Sequence, residues 1–186
     1  MAAAKTEVYV ALLRGINVGG KNSLPMKDLA KMFEKAGCSQ VATYIQSGNV
    51  VFQADASLAQ QIPELISKAI LKSFKISIPV IVRRGEDLVP ISQKNPFFKK
   101  GGTIDTVHVA FLAHTPAPEA VKGLDPNRCT IDGFHVQGSE IYLHFPKGLA
   151  KTKLTNQYFD SKLSTVSTVR NWKTLLKLIE MTQTAP

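Results

Sequence analysis

The sequence is poor in the residues that anchor most recognisable chemistry. Two cysteines, one tryptophan and four histidines are spread over 186 residues. A lone pair of distant cysteines, Cys38 and Cys129, builds no disulfide framework. Reduced thiols fit a cytoplasmic protein. His108 and His114 share a strand parity, and His135 and His144 lie diagonally on a predicted hairpin. Neither pair has a third ligand, which is weak ground for zinc, so no metal and no cofactor is expected. The carboxylates Asp28, Asp55, Asp105 and Asp132 are scattered, so a paired-acid metal site for phosphoryl or nucleotidyl chemistry is missing. No apolar run reaches the length of a membrane span, and no membrane partner is expected. Ala2–Ala4 precede Lys5 and a short apolar run broken by Arg14, which is not the layout of a secretory signal.

Positive charge is what the chain has in excess. Lys and Arg number 23 against 14 Asp and Glu, a formal net charge of +9. Such a surplus attracts polyanions, whether nucleic acid or phosphorylated small molecules. The densest runs are the pairs Arg83-Arg84 and Lys99-Lys100, so there is no basic tail. Nothing in the pattern calls for an oligomer, and a monomer is the default.

Hydrophobic periodicity predicts an α+β protein. Glu7–Leu13 reads as a buried strand, and Met26, Leu29, Phe33 and Ala36 fall at helical spacing up to Gly37. Residues 41–46 and 49–53 form a predicted hairpin around Ser47-Gly48; pairing Gln46 with Asn49 puts Val41, Ile45, Val50 and Phe52 on one face. Ser57 and Gln60 suggest a capping box for the next helix, which Pro63 should kink or delay. A strand over 76–83 completes β-α-β-β-α-β, the order of a ferredoxin-like unit. A short helix is predicted within 85–93. After a linker around Asn95-Pro96 and 99–102, the theme returns: a strand over 106–113, a short helix, and a hairpin around Gly138-Ser139. That hairpin splits into an apolar face and a face of Gly133, His135, Gln137, Glu140, Tyr142 and His144 that reads as wet. A helix, a short strand over 164–168 and a final amphipathic helix close the chain. The expected architecture is therefore two tandem ferredoxin-like βαββα(β) subdomains with mainly antiparallel sheets. The first occupies residues 1–98; the second, 99–186, is βαββα plus a terminal helix.

Three segments carry candidate binding residues. The first is the loop after the first strand, with Arg14, Gly15, Asn17, Gly19, Gly20, Lys21 and Asn22. It nearly matches a phosphate-binding G-x-x-x-x-G-K loop. Asn22 stands where a magnesium-binding Ser or Thr belongs, Ser23-Leu24-Pro25 separates the lysine from the helix, and a hairpin follows in place of a parallel crossover. A generic anion cradle survives these objections, since it needs only glycine-permitted backbone and nearby cations. A tight loop whose asparagines cap local turns explains the same residues. The second segment is the hairpin tip with Ser47 and Asn49; Ile45 replaces the first glycine of a G-x-S-x-G elbow, so Ser47 is no nucleophile. The third is Arg170-Asn171-Trp172, where Asn171 would cap the last helix, Arg170 would offer a forked donor and Trp172 either stacks on a ligand or belongs to the core. An RNA-recognition module shares the element order, but its aromatic motif is missing, and Tyr9, Tyr44 and Phe52 belong to a face that also serves as core.

Taken in order, VALLRGINVGGKN, TYIQSGNVVF, NPF at Asn95–Phe97, IYLHFPKG at Ile141–Gly148 and TVRNW near the end resemble the bacterial domain-of-unknown-function 1697 family. The likeness runs over nearly the whole chain. It implies two ferredoxin-like subdomains and places family motif residues at Arg14, Gly15, Asn17, Gly19, Lys21 and Asn22, at Ser47, Gly48 and Asn49, and at Arg170, Asn171 and Trp172. Thr168-Val169 departs mildly from the residues usual before RNW. The resemblance implies no established activity.

The functional expectation is a cytoplasmic protein that binds a phosphorylated or anionic small ligand at the glycine-rich loop, with the three segments meeting in space. The alternatives are nonspecific nucleic-acid binding through the overall charge, or a phosphoryl- or nucleotidyl-transfer enzyme using the same site. No catalytic residue is assigned.

Overall fold

Strand β1 (Glu7–Leu13) pairs antiparallel on both sides and is buried from Tyr9 to Leu13, which is why that stretch is apolar. The computed structural model describes residues 5–184; the Ala2–Ala4 segment lies outside them. Helix α1 (Met26–Lys35) starts at Pro25 and turns Met26, Leu29 and Phe33 into the core. Strands β2 (Ser39–Tyr44) and β3 (Asn49–Ala54) follow, then helix α2 (Ala56–Phe74) and strand β4 (Val80–Arg84). The sheet order is β2-β3-β1-β4, all antiparallel. Both helices bury their apolar stripes against it; Tyr9 stacks on Phe52, and Phe33 meets Phe52 with tilted rings.

After a short turn of 3-10 helix, α3 (Leu88–Gln93) leads to strand β5 (Val107–Leu112), helix α4 (Pro118–Lys122), strands β6 (Gly133–Gln137) and β7 (Glu140–His144), helix α5 (Asn156–Leu163), strand β8 (Ser167–Asn171) and helix α6 (Trp172–Thr184). The second sheet runs β6-β7-β5-β8, the same order as the first. The second half is thus a full βαββαβ unit, with β8 as its fourth strand. Its core gathers Ala110, Leu112, Ile141, Leu143, Phe145, Tyr158 and Phe159. The chain divides into two compact units: one runs to Pro90 and resumes at Lys177, and the other is Ile91–Leu176.

Several local expectations need correcting. The first hairpin pairs Tyr44 with Asn49, two residues away from the predicted Gln46 pairing. A shift of two preserves the faces, which is why Val50 and Phe52 are still core. Ile45 does not share that face: it sits in a four-residue turn, half exposed, at φ 47°. Helix α2 is capped by Asp55, whose side chain accepts from the Leu58 N–H at 2.9 Å, not by Ser57. Its residues 56–74 run through Pro63 without a break. The predicted strand over 76–83 begins only at Val80, and the one over 164–168 lies at Ser167–Asn171. The second hairpin keeps its predicted Gln137–Glu140 register, but its polar face is not wet throughout. Tyr142 is buried with its hydroxyl donating to the Ile91 carbonyl at 2.9 Å, and His144 stacks on Phe97.

Candidate functional site

The loop between β1 and α1 folds as a small hairpin of its own. The Lys21 N–H donates to the Val18 carbonyl at 3.0 Å, and the Asn17 N–H to the Asn22 carbonyl at 3.2 Å. Gly19 and Gly20 at its tip have φ of 57° and 73°. Two successive left-handed residues closed by that bond make a type I′ turn, a geometry that Gly-Gly adopts without steric cost. The glycine run is therefore first of all a hairpin turn, which is the physical reason it departs from a nucleotide-binding loop.

Two asparagines tie this hairpin down. The Asn17 amide nitrogen donates to the carbonyls of Leu24 and Gln46, both at 2.9 Å, while its oxygen accepts from the Leu24 N–H at 2.8 Å. Asn22 donates to the Gly15 carbonyl at 2.9 Å. Both asparagines have positive φ, near 54° and 51°, which their short polar side chains tolerate. The β2–β3 turn is held against the same loop: the Leu13 N–H donates to the Gly48 carbonyl at 2.8 Å, and Gly48 lies so close that a methyl group there would meet the Leu13 side chain at 2.7 Å. Asn49 is fully buried, and its amide bonds the Tyr44 carbonyl and the Ser47 hydroxyl. The first two candidate segments thus come together, but Asn17, Asn22 and Asn49 do so as cross-ties whose side-chain amides are engaged by the protein.

What faces solvent is the hairpin tip. Val18, Gly19, Gly20 and Lys21 are exposed, Arg14 and Ser47 are half-buried, and space is open around Gly15, Gly19 and Gly20. Ile45 is exposed on the neighbouring turn.

Arg170, Asn171 and Trp172 belong to the second unit, and each has a local structural task. Arg170 is buried on β8 and donates to the Thr168 hydroxyl at 2.8 Å and the Val169 carbonyl at 2.9 Å. Burial pulls its guanidinium down to about 10, still charged at neutral pH. Asn171 accepts from the Thr174 N–H at 2.8 Å, the predicted cap of α6. Trp172 is core and meets Phe98 edge-on, with ring centroids 5.1 Å apart.

The model of a protein family of unknown function, DUF1697, matches residues 6–142, well over half of the chain. The chain belongs to the DUF1697 family. The match takes in the loop and the first hairpin turn and ends ahead of Arg170. No curated protein matches the chain. The fold of this DUF1697 member is similar to that of the conserved bacterial protein SP0830 from Streptococcus pneumoniae. The TM-score is 0.67 and the identity 22%, over 96% of this chain and 99% of that one.

Among the described residues, no group of three or more His, Cys, Asp or Glu is placed to hold a metal ion, and no helix is long and apolar enough to cross a membrane. His108 is buried against Phe145, and His114 bonds the Ser164 carbonyl through Nε2 at 3.1 Å. His135 stacks on Tyr142. All four imidazoles make contacts within the fold, three of them against aromatic rings. A cleft of about 470 Å³ elsewhere in the first unit is lined by Glu7, Arg84 and Glu86. Arg84 bridges both carboxylates, at 2.9 and 2.8 Å, so its charges answer one another.

Proposed function

We propose that the protein binds a small phosphorylated or otherwise anionic ligand at the 14–22 hairpin, in a cytoplasmic setting. Arg14 and Lys21 supply the charge, Ser47 a hydroxyl, and the open backbone around Gly15, Gly19 and Gly20 a surface that an oxyanion can approach closely. The observation that carries the reading is the Asn17 tie to Gln46 at 2.9 Å, which holds the cationic loop and the Ser47 turn in one place before any ligand arrives. Preorganisation lowers the ordering cost of binding. Asn17, Asn22 and Asn49 act in this reading as supports, and Arg170, Asn171 and Trp172 as the frame of the second unit. The two unpaired thiols of Cys38 and Cys129 support the cytoplasmic setting.

The test is calorimetric titration with pyrophosphate and a panel of nucleoside and sugar phosphates. Lys21→Ala and Arg14→Ala should each weaken the best ligand by about tenfold or more, the loss of one charge-assisted contact. Variants that bind it as tightly as the parent would overturn the reading. Turnover of any panel member only when magnesium is added would point to the phosphoryl-transfer alternative at the same site.

A further inference from the structure

Helix α1 places Lys27, Lys31 and Lys35 four residues apart, in one exposed row. Like charges at that spacing repel and weaken an isolated helix. On α2, Lys68 and Lys72 repeat the spacing, and Lys75 follows in the left-handed cap. Between the two helices runs a groove of about 410 Å³ with Lys31, Lys35 and Lys72 on its walls and Asp28 as its carboxylate. Beneath them lie Met32, Ala69 and Phe74. Met32 and Phe74 are only partly buried, and both rest on the hydrophobic core of the first unit. Glu64, the nearest acid on α2, is already paired with Lys68.

A row of cations above an apolar floor matches a ligand that is anionic along one edge and flat and apolar along the other. We propose that this groove is a binding site for single-stranded nucleic acid, separate from the hairpin loop. The lysines of α1 rise along the helix at about 6 Å intervals and follow the phosphate backbone. An unpaired base then rests on Phe74 and Met32, since every base offers a π-face to an aromatic ring. A duplex keeps its bases stacked inside and cannot reach the floor, so the groove selects single strands. The overall charge of +9 assists encounter but does not set this preference.

Fluorescence anisotropy with a labelled oligothymidylate, in a salt series on the full chain, tests the site. The parent should bind with an affinity that falls steeply as salt rises, and should bind a duplex of equal length more weakly. The double variant Lys31→Glu/Lys72→Glu should lose about tenfold or more in affinity. Lys122→Glu/Lys147→Glu, with the same change in net charge at exposed positions of the second unit, should change it by less than about threefold. Phe74→Leu, which keeps the apolar contact with the core but removes the ring, should narrow the gap between single strand and duplex. Equal losses in the two double variants would overturn the groove in favour of a diffuse field. Equal binding of the duplex, or of an oligoglutamate peptide of similar charge, would overturn the nucleic-acid assignment, as would no binding at low salt.

Discussion

The side-chain amide of Asn17 donates to the main-chain carbonyl of Gln46 at 2.9 Å, joining two loops that lie 29 residues apart in sequence. One side chain fastens the entry to α1, the β2–β3 turn and its own hairpin at once. Asn17→Ala removes all three bonds and places a β-carbon without a polar anchor at φ 54°. A loss of about 2–3 kcal/mol in unfolding free energy is expected from urea denaturation. Asn17→Gly, which suits the backbone but also lacks the bonds, should recover part of it.

Gly48 and Gly19 both have positive φ, and they predict different outcomes. A methyl group at Gly48 would lie 2.7 Å from the Leu13 side chain and 3.0 Å from Ile16, whereas Gly19 faces open space. Gly19→Ala should cost about 1 kcal/mol, the conformational penalty alone. Gly48→Ala adds overpacking and should cost about 3 kcal/mol or more. Thermal melts of the two variants, run in parallel, separate strain from collision.

Ile45 is a β-branched residue held at φ 47° with half of its surface exposed. Such a residue in the left-handed region is strained. Replacing it with glycine should therefore stabilise the protein, by about 1 kcal/mol, despite removing a large apolar side chain. A lower denaturation midpoint for Ile45→Gly would contradict this account of the turn.

His108 supplies a pH dependence. Its ring is buried with Nδ1 lacking a partner, and desolvation holds its pKa below the ordinary value, against a smaller opposing pull from the Thr106 backbone. The unfolded chain therefore binds a proton at higher pH than the folded chain does. Stability should fall as pH drops below about 6.5, the unfolded-state value, until the folded ring also titrates. His108→Leu should flatten that part of the profile in a denaturation series taken downward from about pH 7.

The α+β class, the order of elements and most core positions were legible in the sequence. Period-two and period-3.6 patterns report which face a residue turns inward, and they do so without knowledge of the partner. The same logic kept Val50 and Phe52 on the core face even though the hairpin register was two residues off. Asn171 was readable as a cap because capping is local. What the pattern could not show was the use of each polar group. Asn17, Asn22 and Asn49 look like ligand donors in a string of letters, and only the folded chain reveals the carbonyls they answer. Tyr142 and His144 looked wet because alternation marks them polar, until Ile91 and Phe97 covered them.

By itself, the sequence determined a βαββαβ pattern followed by a βαββα(β) pattern, a glycine-rich turn after the first strand and a surplus of positive charge. These follow from backbone conformational preference and composition, which act over a few residues. The tertiary structure alone decided that the asparagines are ties, that Arg170 is buried, that Ile45 is exposed, and that Lys31, Lys35 and Lys72 share a groove with Phe74. Those facts depend on which distant segments meet, and that is settled by long-range packing of sheet and helices, not by local spacing.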